Sequence, residues 1–247
     1  MKIASPHTSR DAERIYRTRM RPEGLVRFDV AVAETDLACF AEEDFTGPVR
    51  TSLEQLRSDI LEWAKTHRGF FETLKPVGID AGAPRIVRNM CEAARAWGVG
   101  PMAAVAGALA DAVGGELSAL SSQVIIENGG DIYIRSSQAR RIAIFAGDES
   151  PFGEISLIVR PEDGVGGVCT SSGVVGHSMS FGAADAVTAL AGSAALADAA
   201  ATAICNRIRA TSDVAAVIEA ERNRGLLSGL VVIMGETLGA FGAVEFA

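Results

Sequence analysis

Apolar and polar positions alternate through Val26 to Val32 (VRFDVAV), the period-two signature of a half-buried strand. Glu34-Thr35-Asp36 interrupts, and Leu37 to Phe40 reads as a second short strand. From Thr51 to Thr66 the period changes, because Leu53, Leu56, Ile60, Leu61 and Ala64 share one helical face. Lys75 to Pro84 is rich in turn residues and reads as a crossing loop. Pro84 to Trp97 is amphipathic and predicts a helix. Gly98-Val99-Gly100-Pro101 breaks it, and Pro101 suits the first turn of a new helix running to Val113.

Strands dominate the second half. Gln123 to Glu127 and Ile132 to Ile134 flank Asn128-Gly129-Gly130-Asp131, a strong hairpin signal. Arg141 to Ala146 and Ile155 to Arg160 read as a further pair, and Ala186 to Leu190 as another strand. Gly164 to Gly167 is glycine-rich, and Thr170 to Gly182 reads as a polar loop. Ser193 is a good cap for a helix through Arg207, and Thr211-Ser212 for one to about Arg222. Leu230 to Met234 and Phe241 to Phe246 read as the last strands. Helices and strands mix without strict alternation. The expected fold is therefore α+β, with a mixed or antiparallel sheet core flanked by helices. The expected organisation is one domain over residues 1–247, with 1–22 as an extended N-terminal arm.

Composition narrows the function classes. The net charge of −8 and the absence of a long Lys/Arg run argue against nucleic acid and anionic membranes as partners. No stretch of eighteen apolar residues occurs; the most apolar helix, Ala103 to Val113, is broken by Asp111. Four scattered cysteines form no CxxC pair, which excludes the usual zinc motifs and predicts buried thiols. The N-terminus lacks the apolar core of a signal peptide, so a cytoplasmic location is expected.

Four groups of residues carry candidate chemistry. In the helix SAALADAAATAICNR, Asp198 stands alone among Ala and Leu, with Thr202 four residues later on the same face. A carboxylate and a hydroxyl suit Mg²⁺, which keeps water and substrate phosphate as the rest of its shell. The alternative is that Asp198 bonds a nearby backbone group or Arg, and that Thr202 bonds its own helix. Thr170-Ser171-Ser172-Gly173 offers hydroxyl and backbone donors in a tight turn, as phosphate-holding loops do; an ordinary polar turn has the same composition. Asn128-Gly129-Gly130-Asp131 is a hairpin turn that also lets backbone approach a flat ligand. His177, with Asp185 a few residues on, is a candidate for proton transfer or a structural histidine. Gly98 to Ala103 fits GxGxxA, but a helix precedes it, which excludes a dinucleotide fingerprint.

Taken in order, Gly98 to Asp111, NGGD at Asn128 to Asp131, TSSG with a His at Thr170 to His177, and ALADAAATAI at Ala195 to Ile204 resemble the ApbE-like superfamily, in a branch related to the FAD:protein FMN transferases. The resemblance spans roughly residues 85–210. It implies Mg²⁺ and FAD, with FMN transferred to a Thr or Ser of a protein target, or FAD hydrolysed to FMN and AMP. It implies Asp198 and Thr202 as metal ligands, Asn128, Gly129, Gly130, Asp131, Thr170, Ser171, Ser172 and Gly173 as ligand-binding residues, and His177 as the His of the following motif; with Asp185 nearby, His177 and Asp185 are the catalytic candidates. Two family features are missing. Pro101-Met102 stands where the transferases carry Lys-Gly, and Ser178 to Asp185 lacks the Asp-Pro-x-Thr-Gly motif. A non-catalytic flavin-binding accessory protein of cofactor or sulfur metabolism is therefore the alternative. A third reading is a ligand-free scaffold, whose Ala/Gly-rich helices would pack a homodimer.

Overall fold

The computed structural model describes residues 17, 20–147, 150–174 and 181–247. Its chain order is β1 (Val26–Val32), β2 (Thr35–Ala41), α1 (Thr46–Thr66), α2 (Arg85–Trp97), a 3₁₀ turn (Pro101–Ala104), α3 (Val105–Leu117), β3 (Val124–Asn128), β4 (Asp131–Arg135), β5 (Arg140–Phe145), β6 (Glu154–Val159), β7 (Gly167–Ser171), β8 (Ala186–Ala191), α4 (Ala194–Cys205), α5 (Asp213–Arg224), β9 (Gly229–Met234), β10 (Thr237–Gly242) and β11 (Glu245–Phe246). Eight strands form one sheet in the order β1-β2-β3-β4-β7-β8-β9-β10, and β11-β6-β5 form a second. Every strand pairing described is antiparallel. This is the expected α+β architecture.

Strand alternation divides the core into two layers. Ile126, Cys169, Val187, Ala189 and Val232 point to one face of the large sheet and pack under the helices. Ile125, Ile132, Val168, Ala186, Leu190, Val231 and Ile233 point to the other, where Ile142, Ile144, Leu157 and Val159 of the small sheet cover them. The large sheet is therefore buried on both faces, which explains why β8 and β9 read as continuous apolar runs.

Three expectations change in detail. Residues 164–171 are not all loop: β7 occupies Gly167–Ser171, between β4 and β8. Its glycine start hid it. A Cβ on Gly167 would come within 2.3 Å of the Ala194 backbone, so the strand needs glycine to lie under α4. Phe241 to Phe246 is not one strand. Gly242, at φ 81°, turns the chain from β10 in the large sheet to β11 in the small one. The second helix of the 98–117 region begins with a 3₁₀ turn at Pro101 and continues past Val113 to Leu117.

Among the described residues, no single helix is long and apolar enough to cross a membrane. The pair α2 and Pro101–Leu117 is apolar enough in sum, but it bends by 102°. Its apolar side chains pack on the sheet.

Candidate active site

Antiparallel pairing brings several loops to one end of the large sheet. The Asn128–Asp131 turn, the end of β7 at Ser171, the start of β8 at Ala186 and the β9–β10 turn at Gly235 all fall there. The turn has φ of 66° at Gly129 and 101° at Gly130, the positive pair of a tight two-residue hairpin. Behind it, the buried Glu127 carboxylate accepts the Gly130 N–H at 2.8 Å and the Arg17 guanidinium at 2.5 Å. The turn is therefore braced on its far side.

On the helix-facing side, Asn128 Nδ2 donates to Ala106 O at 3.1 Å. Asp131 is opposite Cys169 in the β4–β7 ladder, faces the helices, and takes a hydrogen bond from the Cys169 thiol. Cys169 Sγ also lies 3.2 Å from Ala194 O at the start of α4.

Helix α4 is an alanine helix packed directly on β7 and β8. Ser193 caps it, accepting the Leu196 N–H at 3.3 Å. Its neighbour α3 runs antiparallel, and each helix carries one carboxylate that serves the other's first turn. Asp198 Oδ2 accepts the Gly107 N–H at 2.9 Å. Asp111 Oδ1 and Oδ2 accept the Ala194 and Ala195 N–H groups, each at 2.8 Å. These amides would otherwise be unpaired at a helix N-terminus, where the dipole also favours negative charge. A Cβ on Gly107 would sit 2.3 Å from Ala194 O, so only glycine permits this spacing. Of the two readings open for Asp198, the backbone bond is present; it occupies Oδ2.

Asp111, Asp131 and Asp198 are nevertheless strained electrostatically. Burial pushes Asp198 up to about 7, against the Gly107 and Ala106 amides, and the Asp111 charge adds to the rise. Burial pushes Asp111 up to about 6, against the Ala195 and Ala194 amides and the Ser193 hydroxyl. Asp131 is held well above the ordinary carboxylate range, by burial first and then by the Asp198 charge. Among the described residues, none of the ion pairs involves these three carboxylates. A bound cation would relieve this repulsion. No set of three or more His, Cys, Asp or Glu side chains among the described residues is arranged to hold a metal by itself. A cation here would draw on few protein ligands and complete its shell with water or phosphate, as Mg²⁺ commonly does.

The four residues of the TSSG segment divide. Thr170 faces the small sheet, its hydroxyl 2.8 Å from that of Thr188. Ser171 alternates to the helix side, is 4% exposed, and its buried Oγ has no hydrogen-bond partner among the described residues. Ser172 Oγ accepts the Val174 N–H at 3.0 Å. Gly173 passes so close to the next segment that a Cβ would be 2.2 Å from Gly182 O. Thr202 is half-buried on α4, one turn beyond Asp198. Asp185 Oδ2 accepts the Gly235 N–H at 2.8 Å and so ties down the β9–β10 turn. His177 lies outside the described residues.

Asp111 and Glu127 have site-supporting contacts that the sequence reading did not anticipate. Asp111 carries the same signal as Asp198, a lone carboxylate in an apolar helix, but as a break in apolarity it gives no sign of its grip on α4. Glu127 carried no separate signal.

A family model described as AbpE bacteria matches residues 17–236. The chain belongs to this family. The AbpE-family chain is 39% identical over 222 residues to a UPF0280 protein of Methanopyrus kandleri, covering 86% of this chain and 89% of the relative. It is 37% identical over 222 residues to a UPF0280 protein of Methanosphaerula palustris, covering 89% and 92%. Among solved structures, it superimposes on a flavin transferase ApbE from Vibrio cholerae with a TM-score of 0.56 at 14% identity, over 90% of this chain and 98% of that one. The apo Pseudomonas stutzeri flavinyl transferase ApbE gives 0.54 at 17% identity, over 88% and 93%. These likenesses establish the ApbE fold for the AbpE-family chain.

Proposed function

We propose that this chain is a Mg²⁺-dependent enzyme that acts on FAD, releasing AMP and delivering the FMN half either to water or to a hydroxyl of a protein target. The observation that carries this reading is the pair Asp131 and Asp198: burial raises both, the Asp198 charge raises Asp131 further, and neither has an ion-pair partner among the described residues. The orphaned, buried Ser171 hydroxyl on the same face is the second sign of an expected polar ligand. The donor set is all oxygen, which fits Mg²⁺ and not zinc.

Asp198 and Thr202 would hold the cation, with Asp131 beside it. When bound, Mg²⁺ supplies charge neutralisation at the pyrophosphate. The Asn128–Asp131 turn presents backbone to the flavin nucleotide, and Ser171 with Ser172 and Gly173 presents donors to its phosphates. His177 or Asp185 takes the proton of the attacking hydroxyl or water as the phosphoanhydride bond breaks and AMP leaves. The reaction is assigned to the cytoplasm, where FAD is supplied; the chain's four cysteines are free and buried.

Incubation with FAD and Mg²⁺, followed by chromatography for AMP and FMN, tests the activity. AMP release lost in Asp198→Ala supports it; no release from the parent protein, or equal release from the variant, overturns it. The engagement of Asp185 with Gly235 and the absence of the transferases' Lys at Pro101-Met102 favour a second reading, a non-catalytic flavin binder. Stoichiometric flavin retention without AMP release would select that reading.

A further inference from the structure

The N-terminus of α4 is fixed from three directions at one residue. Ala194 N–H donates to Asp111, Ala194 O lies 3.2 Å from Cys169 Sγ, and two glycines, Gly107 and Gly167, are required for backbone to approach Ala194 closely. Only Asp111 among these contacts grips two successive amides, those of Ala194 and Ala195, with both carboxylate oxygens. Asp198 is four residues beyond Ala194 and Thr202 eight, both on the same helix. Asp198 in turn bonds back to Gly107 on α3, four residues before Asp111. The two carboxylates thus close a ring across the antiparallel helix pair, and the rotation of α4 about its axis follows from it.

We propose that Asp111 is a positioning residue for the cation site: by clamping the first two amides of α4 it sets where Asp198 and Thr202 present their oxygens. This rests on the reading of Asp198 and Thr202 as cation ligands. It assigns a role to a residue that the resemblance names neither as a metal ligand nor as a ligand-binding or catalytic candidate. Asp111 does not itself contact the cation, and its effect on binding is transmitted through α4. Outer residues that orient ligands commonly change metal affinity by about 10–100-fold.

The test is Mg²⁺ titration of the full chain in the presence of FAD, followed by flavin fluorescence, for the parent protein, Asp111→Asn and Asp111→Leu. Asn keeps one acceptor oxygen, while Leu has a similar size and none. The expected result is a Mg²⁺ dissociation constant raised roughly tenfold or more in Leu and by less in Asn. FAD binding without Mg²⁺ stays at the parent value in both. A merely structural role would lower the melting temperature and leave the Mg²⁺ dissociation constant of the folded protein unchanged, which overturns the proposal. Equal weakening in both variants would show that only the lost charge matters, which also overturns it. Should Asp111→Leu fail to fold, Asp111→Asn is compared at low and high salt. A positioning defect persists at high salt, and a purely coulombic one vanishes. Failure of the parent protein to respond to Mg²⁺ would instead refute the cation site itself.

Discussion

Asp198 accepts the backbone N–H of Gly107 at 2.9 Å across 91 positions of sequence, and that bond joins the two alanine-rich helices beneath the candidate site. Its length depends on the absence of a side chain at 107. Gly107→Ala places a methyl 2.3 Å from Ala194 O, against backbone that has no freedom to rotate away. In an exposed helix this change would stabilise by up to about 1 kcal/mol. Here it is expected to destabilise by about 1–3 kcal/mol through overpacking. Urea unfolding of the two proteins measures the sign directly; a stabilised variant would contradict the close helix contact.

The raised carboxylates fix the direction of the pH dependence. Burial holds Asp111 at about 6 and Asp198 at about 7 in the folded chain. In the unfolded chain they titrate near the ordinary value of about 3.9. Folding therefore takes up protons between these values, so stability contributed by the two groups rises as pH falls from about 7 toward about 4. Glu42, Asp44, Asp213 and Glu245, whose pKa values are lowered, oppose this only at the acid end. On the proposed reading Mg²⁺ binds the ionised form of Asp198, so its stabilising effect is expected to grow as pH rises. Melting temperature against pH, with and without Mg²⁺, checks both slopes. A metal-free stability that increases from pH 5 to 7 would contradict the assignment.

Much of this site was legible in the sequence, for identifiable reasons. The Asn128–Asp131 hairpin followed from glycine's tolerance of positive φ, and its geometry is as expected. Ser193 announced α4 by its side chain, and the lone Asp198 announced a need for partners. What was not legible depends on alternation and distance. Thr170 and Ser171 are adjacent in sequence, yet the strand β7 sends one hydroxyl to each face of the sheet, and only Ser171 lies on the helix side. Reading the segment as a loop removed that distinction. The grip of Asp111 on Ala194 spans 83 positions, and the brace of Arg17 on Glu127 spans 110. No local pattern encodes such contacts.

The hairpin separates two glycines by their roles. Gly129 has φ 66°, a left-handed value that asparagine tolerates, and Gly130 has φ 101°, which no side chain adopts comfortably. Gly129→Asn is expected to retain stability and FAD binding. Gly130→Ala is expected to cost about 1–3 kcal/mol and to weaken FAD binding. Thermal melts and flavin fluorescence on the two variants distinguish these outcomes; equal tolerance would contradict a ligand role for the turn.

The thiols are expected to be inert. Burial pushes Cys39 up to about 12, and burial with the charges of Asp131, Asp198 and Asp111 holds Cys169 well above the usual thiol range. Thiolate is the reactive form. Alkylating reagents at neutral pH should therefore modify neither residue in the folded protein and both after unfolding, as read by mass spectrometry of peptides. Rapid labelling of native Cys169 would show that the Asp131 environment is open to solvent.

The central claim is that Asp198 and its neighbours form a cation-assisted flavin nucleotide site. Titrating FAD into the metal-free protein, with and without Mg²⁺, measures it most directly by flavin fluorescence. The expected result is saturable binding that tightens with Mg²⁺ in the parent protein and loses its Mg²⁺ response in Asp198→Ala. Binding that is indifferent to Mg²⁺, or a full Mg²⁺ response in Asp198→Ala, would contradict it.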